Sequence, residues 1–178
     1  MRVLVLLGLL PTTTIAAVCF TPGSNCQKQI VNLIYSATHF IRMQSYTFTS
    51  YKIAHALVVM QHRGIDVQVI MDKSQFQCQQ FSQRNYLISQ GIKVFEDYKL
   101  NIAHNKVIII DGQTVETGSY NYTASAQKYN AENVLILANY DLAQYYLKNW
   151  QRRRECSVEI HSDRCTRDLK HHPIPSIK

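Results

Sequence analysis

Hydrophobic and polar positions alternate along this chain with two different periods. Residues 3–10 form an apolar run, aliphatic except at Gly8, followed by Pro11 and three threonines. Ile30, Leu33, Ile34 and Ala37 then recur at helical spacing, with Ser24 placed to cap that helix. Residues 40–48 are compatible with a strand. Ile53, Leu57 and Met60 share one face of a second helix, and Gly64 stops it. Residues 66–71 read as a strand, 79–90 as a polar helix stopped by Gly91, and 92–95 as a short strand. Residues 106–110 make an apolar strand that ends at Asp111-Gly112, a turn signal. Residues 114–117 return as the second arm of a hairpin. Residues 133–138 read as a further buried strand, and 142–153 as a closing amphipathic helix.

Strands alternating with helices predict an α/β fold: a single layered domain with a mixed β-sheet flanked by helices. The hairpin excludes an all-parallel sheet. A chain of 178 residues with 46% hydrophobic positions fits one domain and is not globally disordered. No internal repeat is visible. Periodicity is lost after Cys156, so the domain is placed at 18–155 and a basic C-terminal tail at 156–178.

The first 17 residues have the form of a signal peptide. Met1-Arg2 gives a positive start, the apolar run follows, and Ala16-Ala17 offers small residues for cleavage. The run is too short to cross a bilayer comfortably. A periplasmic or secreted protein is expected, with membrane association only if the segment is not cleaved. A short buried strand or an uncleaved anchor is the competing reading. Export would carry Cys19, Cys26, Cys78, Cys156 and Cys165 into an oxidising compartment. Their connectivity cannot be read from spacing, and five thiols leave at least one unpaired within the chain. No Cys-x-x-Cys or paired Cys/His spacing suggests zinc.

Lysine and arginine number 19 against 12 acidic residues, a net charge of +7. That balance suits a polyanionic partner, and it suits solubility equally. The chemistry concentrates between residues 104 and 132. His104 and Lys106 are two positions apart, so in a strand they project together. Asp111 follows, then Gly118-Ser119-Tyr120-Asn121, then Glu132. Lys106 and Asn121 can hold non-bridging phosphate oxygens. His104 can attack phosphorus or act as acid or base, and Glu132 can orient its imidazole. His39, His55, His62 and His161 read as structural. Arg152-Arg153-Arg154 suits a solvated helix end or a phosphate contact. Tyr46, Tyr120 and Tyr122 lie near these residues, placed either to stack on bases or to pack a core.

His104-x-Lys106, four residues, Asp111, six residues and Gly118-Ser119-x-Asn121 together resemble the signature of the phospholipase D superfamily. The likeness covers most of residues 28–151 and is greatest to the small bacterial periplasmic nonspecific endonucleases. It implies that His104 is the nucleophile. Lys106, Ser119 and Asn121 would bind the phosphate, Gly118 would allow close backbone approach, and Glu132 would support the histidine. Asp111 is read as mainly structural. The motif occurs once. In-line displacement places nucleophile and leaving group on opposite sides of phosphorus, so one histidine cannot serve both in one step. The resemblance therefore implies a homodimer, with His104 of the second copy as general acid. It implies no cofactor and no metal. The expected substrate is DNA, with RNA as a further one. The rival readings are a phospholipid (cardiolipin) hydrolase or transphosphatidylase, and a non-catalytic phosphate-binding module.

Overall fold

A computed structural model describes residues 15–76 and 81–161. Most of the expected export segment, Cys78, Cys165 and the end of the expected tail lie outside them. Strand β1 (Ile15–Thr21) leads into helix α1 (Cys26–Tyr35), followed by β2 (Phe40–Ser45), α2 (Tyr51–His62) and β3 (Asp66–Asp72). Then come α3 (Arg84–Ser89), β4 (Lys93–Asp97) and the hairpin β5 (Val107–Ile110) and β6 (Thr114–Gly118). The short α4 (Ala124–Lys128), β7 (Glu132–Ala138), α5 (Tyr140–Glu155) and β8 (Val158–Ile160) complete the domain.

The eight strands form one sheet in the order β1-β7-β6-β5-β2-β3-β4-β8. Strands β2, β3 and β4 are parallel, and the remaining pairings are antiparallel. This is the mixed, helix-flanked sheet expected from the alternation of periods. Ile108 and Ile110 face the core under α1 and α2, while Val107 and Ile109 face Trp150 of α5. Burial on both faces explains why β5 is continuously apolar. The Trp150 indole also donates to the Met43 carbonyl at 3.0 Å, which fixes α5 across the sheet.

Several elements differ from their sequence reading. Helix α1 is capped by Asn25, whose side chain accepts from the Lys28 amide at 3.0 Å, so Ser24 lies one residue too early. Ala37 is buried but lies past the helix end. Strand β2 stops at Ser45, and Phe48 rejoins the sheet region only through a bridge to Tyr122. Helix α3 is shorter than 79–90, beginning at Arg84. Residues 158–160 of the expected tail are an edge strand, paired with β4.

Strand β1 crosses the end of the segment read first as a signal peptide, for which a short buried strand is the competing reading. It pairs with β7 along its whole length, from Ile15 opposite Ala138 to Thr21 opposite Glu132. Cys19 and Thr21 are buried, whereas the outward Val18 and Phe20 are apolar too, so polar alternation is missing. The strand runs across the expected cleavage point. A cut after Ala17 would leave Val18 to Thr21 in the sheet. Cys19 is joined to Cys26 by a disulfide, which ties β1 to the start of α1.

The pairing directions gather one end of the sheet. Parallel β2 and β3 finish there, and β5, running against β2, begins there. The same end therefore receives the last residue of β6 and the first of β7.

Candidate active site

Three chain segments meet at that end: the approach to β5, the exit from β6 and the entry to β7. The approach to β5 is irregular, since the strand begins only at Val107. It is held in place by two contacts. The Ala103 amide donates to Asp72 Oδ2 at 2.6 Å, and Asn105 Nδ2 donates to Gln44 Oε1 at 2.9 Å.

His104 and Lys106 come together as expected, although both precede the strand and the irregular approach, rather than strand alternation, places them. Lys106 Nζ lies 2.9 Å from His104 Nδ1 and 3.2 Å from Nε2, and donates to the His104 carbonyl at 2.6 Å. The His104 residue is exposed, whereas Lys106 is buried. Burial pulls the Lys106 ammonium below its ordinary pKa, and the charge of Glu132 works against that shift. A phosphate arriving beside Nζ would further favour the charged form. The Tyr46 ring lies 4.6 Å from the His104 ring, and the Lys106 ammonium sits 5.4 Å from the Tyr46 centroid. An aromatic face thus holds both groups from one side.

The exit from β6 is a tight crossing. A Cβ on Gly118 would lie 2.2 Å from the Asn133 carbonyl oxygen, so glycine is required by the neighbouring strand. The Ser119 amide donates to Asn133 Oδ1 at 2.9 Å, and the Asn133 amide donates to Ser119 Oγ at 3.1 Å. Ser119 and Asn121 alternate with Tyr120 and Tyr122, which are fully buried. These two tyrosines are core residues, so neither offers a face to a base; Tyr46 alone of the three lies beside His104. Asn121 Oδ1 is buried with no hydrogen-bond partner; an amide oxygen only accepts, so a phosphate contact at Asn121 falls to its Nδ2 group.

Glu132 opens β7 at this site, but its contacts differ from the expected one. Its carboxylate accepts from Ser119 Oγ and, at 2.9 Å, from Asn130 Nδ2. Among the described residues no hydrogen bond or ion pair joins it to His104. Glu132 acts here on the serine directly and on Lys106 through its charge. Asp111 lies at the far end of β5, away from the site. Its carboxylate accepts from the Thr38 amide and hydroxyl and from the His39 and Phe40 amides, each at 2.8 Å.

Glu116 was missed from the sequence. It lies on β6 with its side chain fully buried, and the Tyr122 hydroxyl donates to one carboxyl oxygen at 2.8 Å. The other oxygen has no partner. Burial pushes its carboxyl up to about 8, against the lowering effect of the Tyr122 hydrogen bond. The available signal was parity: Glu116 sits on the same face as Ile108, its register partner in β5.

A cleft of about 200 Å³ opens beside His104, lined by Gln44, Ser45, Asp97, Asn105 and Arg153. Arg153 grips Asp97 through two hydrogen bonds, and Arg154 stacks 3.5 Å over the Phe95 ring. Two residues of the arginine cluster are thus structural.

A histidine beside an ammonium, with a serine and an asparagine at the next strand exit, is a set of groups that can meet a phosphodiester. Residues 30–167 match the family profile described as cardiolipin synthase, PLD-like domain. This chain belongs to the phospholipase D superfamily. Its fold aligns with the phospholipase D family member Nuc from Salmonella typhimurium at a TM-score of 0.80 and 35% identity, over 84% of this chain and 100% of that one. NucT from Helicobacter pylori aligns at a TM-score of 0.77 and 25% identity, over 83% and 100%. In sequence, a phospholipase D of Rickettsia conorii is 46% identical over 136 residues, 76% of this chain and 68% of the relative. A mitochondrial cardiolipin hydrolase of Xenopus laevis is 32% identical over 125 residues, 70% of this chain and 59% of the relative. The protein is a phospholipase D superfamily phosphodiesterase.

Proposed function

We propose that this phosphodiesterase is a sequence-nonspecific endonuclease that cleaves DNA, and RNA as well, without a metal. The observation that carries the chemistry is the exposed His104 ring held against the buried Lys106 ammonium. His104 attacks phosphorus and forms a phosphohistidine, and the phosphodiester bond to the leaving oxygen breaks. Lys106 and Asn121 hold the non-bridging oxygens, where charge builds in the transition state. The Ser119 hydroxyl donates to Glu132 and accepts from the Asn133 amide, so it reaches a phosphate oxygen only by turning its proton away from Glu132. The leaving oxygen takes its proton from His104 of a second copy in a two-fold dimer. Water, deprotonated by that second histidine, then cleaves the phosphorus–nitrogen bond. The net basic charge and the motif's likeness to small periplasmic endonucleases support nucleic acid as substrate. The Cys19–Cys26 disulfide and the amino-terminal apolar run support export to the periplasm or outside the cell.

A second reading has its own support. The relatives include a phospholipase D and a cardiolipin hydrolase, and Leu100 and Ile102 are exposed just before His104. The deciding experiment is cleavage of single- and double-stranded DNA in excess EDTA, beside His104→Ala. Cleavage that survives chelation and is lost in the variant is the expected result. An inactive, folded and dimeric parent that hydrolyses cardiolipin vesicles instead would replace the nuclease reading with the lipid one. Sedimentation at assay concentration tests the dimer, and an active monomer would refute it.

A further inference from the structure

Charge is distributed unevenly along the chain. Asp66 is the first acidic residue of the whole sequence. Helices α1 and α2 both precede it, so the layer they form over one face of the sheet carries no carboxylate. An open groove of about 370 Å³ runs between them, lined by Gln27, Lys28, Tyr35, Tyr51, Lys52 and His55. Among the described residues, no carboxylate pairs with Lys28 or Lys52. Tyr51 is 59% exposed, its ring 5.7 Å from His55 and 5.4 Å from Tyr86. Farther along the helices, the Arg63 guanidinium lies 5.9 Å from the Tyr35 ring.

The groove is tied to the catalytic loop. Gln27 Nε2 donates to Ser50 Oγ at 2.7 Å, joining the two helices. The Gln27 amide donates to Gln127 Oε1 at 2.8 Å, and Gln127 Nε2 donates to the Ser24 carbonyl at 2.9 Å. The Thr49 and Ser50 amides donate to the Tyr122 carbonyl at 3.0 and 2.9 Å. The groove therefore keeps a fixed position relative to Asn121.

We propose that the groove between α1 and α2 is a second binding site for a nucleic-acid single strand whose scissile phosphate lies at His104. Unpaired lysines meet the backbone phosphates, and an exposed tyrosine accepts a base face. A lipid surface is the poorer fit, because the exposed side chains here are tyrosines and cations in a concave groove rather than a convex aliphatic tip. The proposal rests on the nuclease reading.

The test compares Lys28→Gln/Lys52→Gln with Lys93→Gln/Lys148→Gln, which removes equal charge from exposed positions elsewhere. Binding of a long single-stranded oligonucleotide is measured across a salt series in the His104→Ala background. Turnover is measured in the active background, on the oligonucleotide and on bis(p-nitrophenyl) phosphate, which is too small to reach the groove. The groove variant should lose affinity on the order of tenfold at low salt, with a salt slope shallower by about 1.4. Its kcat/KM on the polymer, relative to the small diester, should fall by a similar factor. Tyr51→Ala should lower polymer affinity severalfold with little change in salt slope. Equal losses in both lysine variants, or none in either, would overturn the groove while leaving the nuclease intact. A parent that neither binds nor cleaves nucleic acid overturns the nuclease reading and the groove with it. Loss of binding to anionic vesicles alone would assign the patch to a membrane instead.

Discussion

The hairpin β5–β6 carries two carboxylates, and their surroundings are opposite. Asp111, at the turn, accepts four hydrogen bonds from Thr38, His39 and Phe40. Burial would raise its pKa, and the hydrogen bonds from Phe40, Thr38 and His39 outweigh that and hold it below the usual range. Glu116 is fully buried with one donor, and burial wins. Asp111 is only partly buried and has four donors, whereas Glu116 is fully buried with one, so burial and donor count together decide which carboxylate stays charged. The same contrast separates the two ends of the hairpin. The turn end is satisfied and stabilises the fold. The site end leaves His104 exposed and Asn121 Oδ1 buried without a donor.

The largest expected effect lies at the site end. His104→Ala should lower turnover by roughly a thousandfold or more, while the thermal midpoint stays put because the residue is exposed. A substantial retained rate would remove His104 as nucleophile. At the turn end the outcome should invert. Asp111→Ala leaves several donors without an acceptor and puts alanine at φ 53, a left-handed conformation. A loss of about 3 kcal/mol is expected in denaturant titration, with activity per folded molecule retained. Equal stability of parent and variant would mean that the turn is held by its neighbours.

The two carboxylates should also titrate with opposite sign. Glu116 binds its proton more tightly in the folded state, so stability is full below pH 4.5 and falls as pH rises toward about 8. The loss is at most about 5 kcal/mol, and Glu116→Gln should flatten that slope. Asp111 contributes stability above its ordinary value, lost as pH falls through its lowered one. A parent whose stability rises between pH 5 and 8 would contradict the neutral Glu116. The smallest effect is expected at Glu132→Gln, which weakens the hold on Ser119 and reduces the field at Lys106. A fall in kcat of about tenfold should result, with the fold intact. A wild-type rate would place Glu132 outside the machinery.

Much of this molecule could be read from local spacing. The hairpin turn, the helical faces of Ile30 and Ile53, and the meeting of His104 with Lys106 all follow from residues a few positions apart. Period and turn chemistry act at that range. Even the structural role of Asp111 was visible, because a turn ending in Gly112 needs such a residue. The misreadings share a different cause. Glu132 was expected on His104, yet Ser119 and Asn130 hold it, which depends on how β6 and β7 cross.

Tyr120 and Tyr122 were open to two placements, stacking on bases or packing a core, and burial assigns them to the core. Strand β1 exists because β7 lies beside it, although more than a hundred positions separate the two in the chain. Residues 158–160 become a strand for the same reason, by pairing with β4. The sequence by itself determined the motif, the order of elements and the chemistry they carry, since each is a property of neighbouring residues. The tertiary structure decided which strands pair, which carboxylate stays charged and which polar groups stay open at the site. Those outcomes depend on long-range pairing, on how deeply a group is buried and on how many donors reach it.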